Sequence, residues 1–582
     1  MVSRSFSGKS WIHKQYNPDH VNFLKENFFL DDFSSKFLAS RNIAKENIET
    51  FLNPTIKSTL PNPFSLIDME KAVARTILAI EKKENIGIFG DYDVDGASST
   101  ALLSKFFFSI NLQNKFYIPD RNKEGYGPSK LGFDKLIGEN CKLIFTVDCG
   151  TLSFDIIDYA SKKQTDVIIL DHHQSEMNLP KAYAIVNPNR LDESSSLNHL
   201  CAAGVTFMFL IALNAELKKN KFYEKNNLIE PNLLDYLDLV ALGTICDVVS
   251  LTGINRAIVK QGLKIINKRK NLGLKTMLDL CKPISDITVR DVGYTIGPRI
   301  NAGGRIGKSS DGAELLLSEN PETAFRLAKD LNQYNLERQM LEKQLIEIVD
   351  TEAKKIKDDP ILVLAGESWH EGVIGIIASR IKDKYNKPSI IISLKDNIGK
   401  ASGRSVAGFD IGTLIIGAVQ SGLLLKGGGH KMACGFSIEK DKINHFKEFT
   451  FKKYSQTKNS LNGGSILIDS EISSSAVNLD FFEKVDSLGP FGSGFPEPKF
   501  SIENLRIVKS MLIGDKHIKA ILAGEDGSTF SAISFNSVDK DLGQFLLNKK
   551  GILFNVVGKL VVNEWNNNKK VEFIIDDISV NK

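Results

Sequence analysis

The stretch Ile86-Gly87-Ile88-Phe89-Gly90-Asp91-Tyr92-Asp93-Val94-Asp95-Gly96 runs a short apolar segment straight into three alternating aspartates and a glycine. Ile86–Phe89 reads as a buried strand and Ala97–Phe108 as the helix that follows it. Two more apolar runs end in the same way, Leu143–Val147 in Asp148 and Val167–Leu170 in Asp171-His172-His173. Lys115–Ile118 and Ala184–Val186 add strands, and Phe154–Lys162 reads as a helix between them. Strand–helix alternation at this spacing, from about residue 71 to 250, predicts an α/β fold with a parallel sheet. All carboxyl ends of such a sheet lie on one edge, where ligands bind. The pattern therefore delivers five aspartates and two histidines to one rim, and the apolar segment Leu233–Ile245 leads a further carboxylate, Asp247, toward it.

Carboxylates this crowded cannot all stay ionised unless cations neutralise them. An oxygen-rich set with one or two imidazoles suits Mn2+ or Mg2+ better than zinc, and a pair of such ions suits phosphodiester hydrolysis. A single strand-end aspartate is more often a helix N-cap; three strand ends carrying one, with paired histidines at the third, favour a ligand set. Asp91-Tyr92-Asp93-Val94-Asp95-Gly96 also opens like a calcium loop, but the position of that loop's bidentate glutamate falls on Leu102. Gly303-Gly304-Arg305-Ile306-Gly307-Lys308-Ser309 mimics a nucleotide-binding P-loop, yet Ala302 stands where its first glycine belongs and no apolar strand leads in.

Outward from this core the chain divides into segments. Residues 1–70 are mixed and helical in flavour, leaving through Pro54, Pro61 and Pro63; 71–323 form the predicted catalytic domain. Ala324 to Ile356 holds no Gly or Pro and repeats apolar residues at helical spacing, so 324–357 reads as a connector helix roughly 50 Å long. A second α/β domain, 358–454, opens with strand Ile361–Ala365; Ser455–Gly464 is a polar linker; and 465–582, rich in strand and turn signals around Asn566-Asn567-Asn568, predicts a small β-barrel. The 582 residues are 42% hydrophobic and 25% charged, with a net charge of +4, so any basic surface must be local. Six scattered cysteines without a C-x-x-C pair argue against a disulfide framework or zinc cluster. No leader-like segment and no apolar run of about 18 residues is found, which predicts a cytoplasmic protein without a membrane partner.

Asp91-Tyr92-Asp93-Val94-Asp95-Gly96, Asp148, Asp171-His172-His173 and Asp247 resemble, in order, the four motifs of the DHH phosphoesterase superfamily. Its members hydrolyse phosphodiesters or phosphoanhydrides with two divalent ions, usually Mn2+. The resemblance implies that Asp148 bridges the ions, that Asp93 with Asp91 nearby serves one, and that Asp95, His172 and Asp247 serve the other. It implies further that His173 contacts the scissile phosphate, which makes His173 and Asp148 the catalytic pair. Many relatives carry a histidine two residues before the first aspartate; this chain has Phe89, so that ion leans on Asp91 or water.

Further segments resemble the RecJ-like exonucleases of that superfamily: Pro119-Asp120-Arg121 with Glu124-Gly125-Tyr126-Gly127, the run Gly297-Pro298-Arg299-Ile300-Asn301-Ala302-Gly303-Gly304-Arg305, and Trp369-His370-Glu371-Gly372-Val373-Ile374-Gly375. Gly399-Lys400-Ala401-Ser402-Gly403-Arg404-Ser405 and Gly427-Gly428-Gly429-His430 resemble the DHH-associated substrate-binding domain, and Pro490–Pro498 the opening of a C-terminal OB-fold. Arg305 and Arg404, flanked by glycines, suit bidentate phosphate recognition, with the Ser402 hydroxyl as an added donor. The resemblance assigns Arg121, Ser402 and Arg404 to a 5′-terminal phosphate and adds Arg299, Arg305 and His430 as substrate contacts. The implied activity is removal of nucleotides from the 5′ end of single-stranded DNA in repair and recombination, by a monomer working with a single-strand-binding protein and a helicase. Relatives that hydrolyse short oligonucleotides or cyclic dinucleotides lack such a barrel, and DHH-derived replication scaffolds lose the carboxylates that stand here. In the barrel, Lys516, Lys519, Lys559, Lys569, Lys570 and Trp565 are the candidate strand-binding side chains.

Overall fold

A computed structural model describes residues 5–121, 123–283, 286–457, 464–549, 551–565 and 568–580. The chain forms two units, one of residues 1–301, 309–329 and 465–582, the other of 302–308 and 330–464.

In the first unit, strands β1 (Asn85–Gly90), β2 (Asn114–Tyr117), β3 (Cys141–Val147), β4 (Asp166–Leu170) and β5 (Ala184–Val186) form a sheet in the order β2-β1-β3-β4-β5. Every pairing is parallel. The strands are buried along both faces, which explains their near-continuous apolar reading. After β1 the chain steps to β2 on one side, then returns to place β3 on the other. That reversal opens a crevice at the carboxyl ends of β1 and β3, beside Asp91 and Asp148. Three almost wholly buried helices, α1 (Val94–Ser109), α2 (Ala202–Lys219) and α3 (Leu237–Cys246), pack on one another behind the crevice. The segment Leu233–Ile245 is thus mainly helical, and Asp247 follows its carboxyl end.

The C-terminal barrel also belongs to this unit. Phe500–Ile513, His517–Ala523, Thr529–Ser534, Asn568–Ser579 and Phe554–Trp565 follow one another around it, and the last pairs back onto the first. The N-terminal segment joins it: Ser10–His13 pairs with Ser465–Ile468, and Val21, Leu24, Phe33, Phe37 and Phe51 share one core with barrel residues such as Phe495 and Phe500. Asp577, fully buried, accepts hydrogen bonds from Ser7 N, Ser7 Oγ and Trp11 Nε1. Two expected barrel cations are committed elsewhere, Lys519 to Glu572 and Lys559 to Glu497. Lys516, Lys569 and Lys570 are exposed, while the Trp565 side chain, Asn566 and Asn567 lie outside the described residues, as does 458–463 of the linker.

Helix Pro321–Lys355, 35 residues long, carries the chain into the second unit. There, Leu362–Glu367 and Ser389–Lys395 pair in parallel, and Ile398–Arg404, Ala433–Glu439 and Lys426–His430 extend the sheet antiparallel. Helix Ile374–Tyr385 packs against it through Ile377 and Ile381. Gly303–Ser309 follows a helix, Gly297–Gly303, and no strand, as the rejection of a nucleotide loop requires. Among the described residues no helix is long and apolar enough to cross a membrane.

Candidate metal centre

Asp93 is the N-cap of α1, accepting from Gly96 N at 3.0 Å. The turn is tight enough that a Cβ on Gly96 would lie 2.5 Å from Asp91 O, so only glycine fits. Asn301 Oδ1 accepts from Val94 N at 3.1 Å, pinning the same turn from the Gly297–Gly303 helix. Asp95 is buried one residue further on, its two oxygens accepting from Ala202 N and Ala203 N at 2.6 and 2.9 Å at the start of α2. Asp148 leaves β3 in the left-handed conformation, φ +62°, with its N–H on Leu170 O. Phe89 packs into the core against Tyr117 and Phe133.

These turns bring the expected ligands together. His172 Nε2 stands 3.3 Å from Asp148 Oδ1, 3.6 Å from Asp247 Oδ2 and 3.9 Å from Asp95 Oδ2. Ligand atoms of Asp91, Asp93 and Asp148 lie within 4.8 Å of one another, as do those of Asp95, His172 and Asp247, and of Asp148, His172 and His173. Asp91 and Asp148 are 3% and 2% exposed, and Asp91 Oδ1 is a buried carboxylate oxygen without a hydrogen-bond partner. Burial, then the neighbouring carboxylates, pushes Asp91, Asp95 and Asp148 upward and Asp247 up to about 8. Burial also keeps His172 low and hence neutral, the form that ligates a metal. Clustered carboxylates, an orphaned oxygen and a neutral imidazole fit a pair of hard divalent cations.

Asp171 faces away from this set. Its oxygens accept from Thr151 N and Oγ1, from His172 N, and from His173 N and Nδ1, the last at 2.7 Å. Burial opposes both charges, but the pair overrides it: His173 is held up to about 9 and Asp171 below the ordinary carboxylate range. Tyr126 Oη donates to Asp148 O at 3.2 Å and lies 3.1 Å from the His173 ring nitrogens. Asn187 Nδ2 holds Thr151 Oγ1 and His173 O, and Asn189 Nδ2 holds His172 O. Sequence reasoning assigns no role to Tyr126, Asn187, Asn189 or Asn301. Tyr126 and Asn301 stand inside motifs that point to other residues; Asn187 and Asn189 carry a weak signal, two asparagines directly after a buried strand.

Arg121 lies over the Tyr92 ring at 5.2 Å, beside the aspartate turn. Arg299 donates to Thr295 O on its own helical segment at 2.6 Å. The other substrate candidates are in the second unit. Arg305 Nη1 donates to Gly372 O at 3.1 Å, and Arg404 Nη1 to Gly403 O and Ser402 Oγ at 2.8 and 3.1 Å. A Cβ on Gly375 would stand 3.0 Å from Ser402 Oγ and 3.3 Å from Arg404 Nη2. The Arg404 guanidinium and the Ser402 hydroxyl therefore meet the first turn of helix Ile374–Tyr385, a site suited to a phosphate, and Arg305 holds the loop just before it. His430 is apart from that turn, two strands across from Arg404 in register.

Models of the DHH family N-terminal domain, the DHHA1 domain and the RecJ OB domain match residues 85–244, 358–456 and 468–577. Fold and ligand set together define a DHH-type phosphoesterase. The chain is 34% identical over 545 residues to the single-stranded-DNA-specific exonuclease RecJ of Haemophilus influenzae, covering 90% of this chain and 93% of that one. It is 33% identical over 541 residues to RecJ of Escherichia coli, covering 90% and 92%. The crystal structure of RecJ from Thermus thermophilus in complex with Mn2+ superposes with a TM-score of 0.80 at 25% identity, over 98% of this chain and 80% of that one. The chain belongs to the RecJ family of exonucleases.

Proposed function

We propose that this protein removes nucleotides from the 5′ end of single-stranded DNA by metal-dependent phosphodiester hydrolysis. The observation that carries the reading is the crowded set Asp91, Asp93, Asp95, Asp148, His172 and Asp247 with the unpartnered Asp91 oxygen. These residues would hold two Mn2+ or Mg2+ ions, with Asp148 placed to serve both, and the ions would supply an activated water and neutralise charge on the phosphoryl oxygens. Asp171 keeps His173 protonated, and the His173 imidazolium donates to an oxygen of the scissile phosphate. Tyr126 braces His173 and the Asp148 backbone. Arg121, Ser402 and Arg404 take the terminal phosphate, and Arg299, Arg305 and His430 make further substrate contacts. On this reading 71–323 is the catalytic domain, 324–357 the connector, 358–454 the substrate-binding domain and 465–582 the strand-binding barrel, with 1–70 packed on the barrel. The protein acts as a cytoplasmic monomer in repair and recombination, alongside a single-strand-binding protein and a helicase.

The test is digestion of end-labelled single strands with Mn2+, comparing wild type with Asp148→Ala. The variant should stay folded and lose several orders of magnitude in rate, because no other residue can replace the shared ligand. A folded Asp148→Ala protein with more than about a tenth of the wild-type rate contradicts the assignment.

A further inference from the structure

Asp247 is followed by a turn that its own residues do not favour. It caps α3, its N–H on Gly243 O at 2.9 Å, and the next residue, Val248, takes φ +61°. A β-branched residue in the left-handed region is sterically disfavoured and persists only where its surroundings over-determine it. Here the surroundings come from the far end of the chain. Leu251 N donates to Ser493 O at 2.8 Å. Gly494, φ +72°, is so close to Ser250 that a Cβ would stand 1.9 Å from its Oγ and 3.3 Å from its Cα; a Cβ on Gly492 would stand 2.6 Å from Leu251 Cδ1. Ser493 and both glycines lie in the loop that leads into the barrel. From the catalytic side, Asn255 Nδ2 donates to Ser250 O at 3.0 Å.

One buried guanidinium ties that loop down. Arg256, 1% exposed on helix Gly253–Asn267, donates to Leu488 O at 2.6 Å, Gly489 O at 2.8 Å and Pro490 O at 3.0 Å. Its Nε donates to Phe51 O at 2.9 Å, and the group lies 3.8 Å over the Phe51 ring and 5.0 Å from that of Phe495. All four of these bonds are to backbone carbonyls. A cation buried in this way carries a desolvation penalty that an apolar side chain would avoid; what it supplies is a defined place for the loop.

We propose that Arg256 and the loop Leu488–Phe495 are positioning elements for the metal centre, setting the place of Asp247 through the turn Val248–Thr252. The barrel thereby acts on the chemistry as well as on the strand. The inference rests on the reading of Asp247 as a metal ligand.

The experiment is calorimetric titration of the full-length protein with Mn2+, for wild type, Asp247→Asn, Gly494→Ala, Gly492→Ala, Arg256→Met and the double variant Gly494→Ala/Asp247→Asn. Wild type should take up two ions, and Asp247→Asn should weaken one of them. Gly494→Ala and Arg256→Met should weaken that same ion by about ten-fold or more, as removal of a ligand-orienting group does, and leave the other unchanged. The double variant should bind no more weakly than Asp247→Asn alone. Nuclease activity of Gly494→Ala should recover at high Mn2+. A folded Gly494→Ala protein with both wild-type affinities, or with both ions weakened equally, overturns the proposal; if Arg256→Met does not fold, the two glycine variants decide. Should Asp247→Asn itself keep both affinities, the ligand reading fails and the inference with it.

Discussion

Asp171 spends its charge on the turn that carries the two histidines, and His173 takes most of it. The linkage has a definite sign. The pKa of His173 is raised from 6.5 to about 9, so the stability and protonation it contributes are complete below 6.5 and are lost as pH rises through about 9. Asp171 is lowered, so its share is present above its ordinary value of 3.8 and disappears as pH falls further. If the imidazolium serves the phosphate, the wild-type rate at saturating Mn2+ should decline above about pH 9. In Asp171→Asn burial is opposed only by the more distant Asp91 and Asp247, and the alkaline limb should move clearly below about 9. A pH–rate profile of the variant with its alkaline limb unmoved would mean that the pair is only structural.

Among the elements, the start of helix Ile374–Tyr385 and the end of strand Ile398–Arg404 bring Arg404, Ser402 and the glycines together. Backbone N–H groups at a helix start favour an anion, and a guanidinium beside them adds charge-assisted hydrogen bonds. Arg404→Ala should therefore weaken binding of 5′-phosphorylated single strands by about 2 kcal/mol, roughly thirty-fold. Binding of strands with a 5′-hydroxyl should weaken much less. Titrations of the two labelled strands against wild type and variant measure the difference, and equal losses on both would remove the terminal phosphate from this site.

For the whole molecule, the N-terminal helices and the barrel share one core, with Phe37 and Phe51 set 5.5 and 4.9 Å from the Phe495 ring. Deleting 465–582 would strip that core and free the loop beside Asp247, so it cannot isolate strand binding. Point changes can. Lys516, Lys569 and Lys570 are exposed, whereas Lys519 and Lys559 are held by Glu572 and Glu497. Changing the three exposed lysines to glutamine should flatten the dependence of single-strand affinity on log salt by about 2, at roughly 0.7 for each phosphate no longer neutralised. Turnover on saturating short oligonucleotides should hold. An unchanged salt slope would mean that these lysines take no part in strand binding.

The sheet, and the gathering of acidic and histidine side chains at its rim, were legible in the chain alone. A strand buried on both faces is apolar throughout, so the first polar residues after it mark its end, and parallel strands put those ends on one rim. Asp91, Asp148 and His172 are brought together by that rule alone. The long helix was legible because an uninterrupted 3.6-residue period needs no partner to be recognised. Tertiary structure decided what depends on distant neighbours. Asp171 follows its strand just as Asp148 does, yet its oxygens are taken up by Thr151 and His173. The N-terminal segment came to share the barrel's core, and Arg256 became the fastening of a loop far along the chain, with separations of 232 to 234 residues. No local pattern encodes such contacts, because the energy of a buried hydrogen bond or a shared core depends on which surfaces meet.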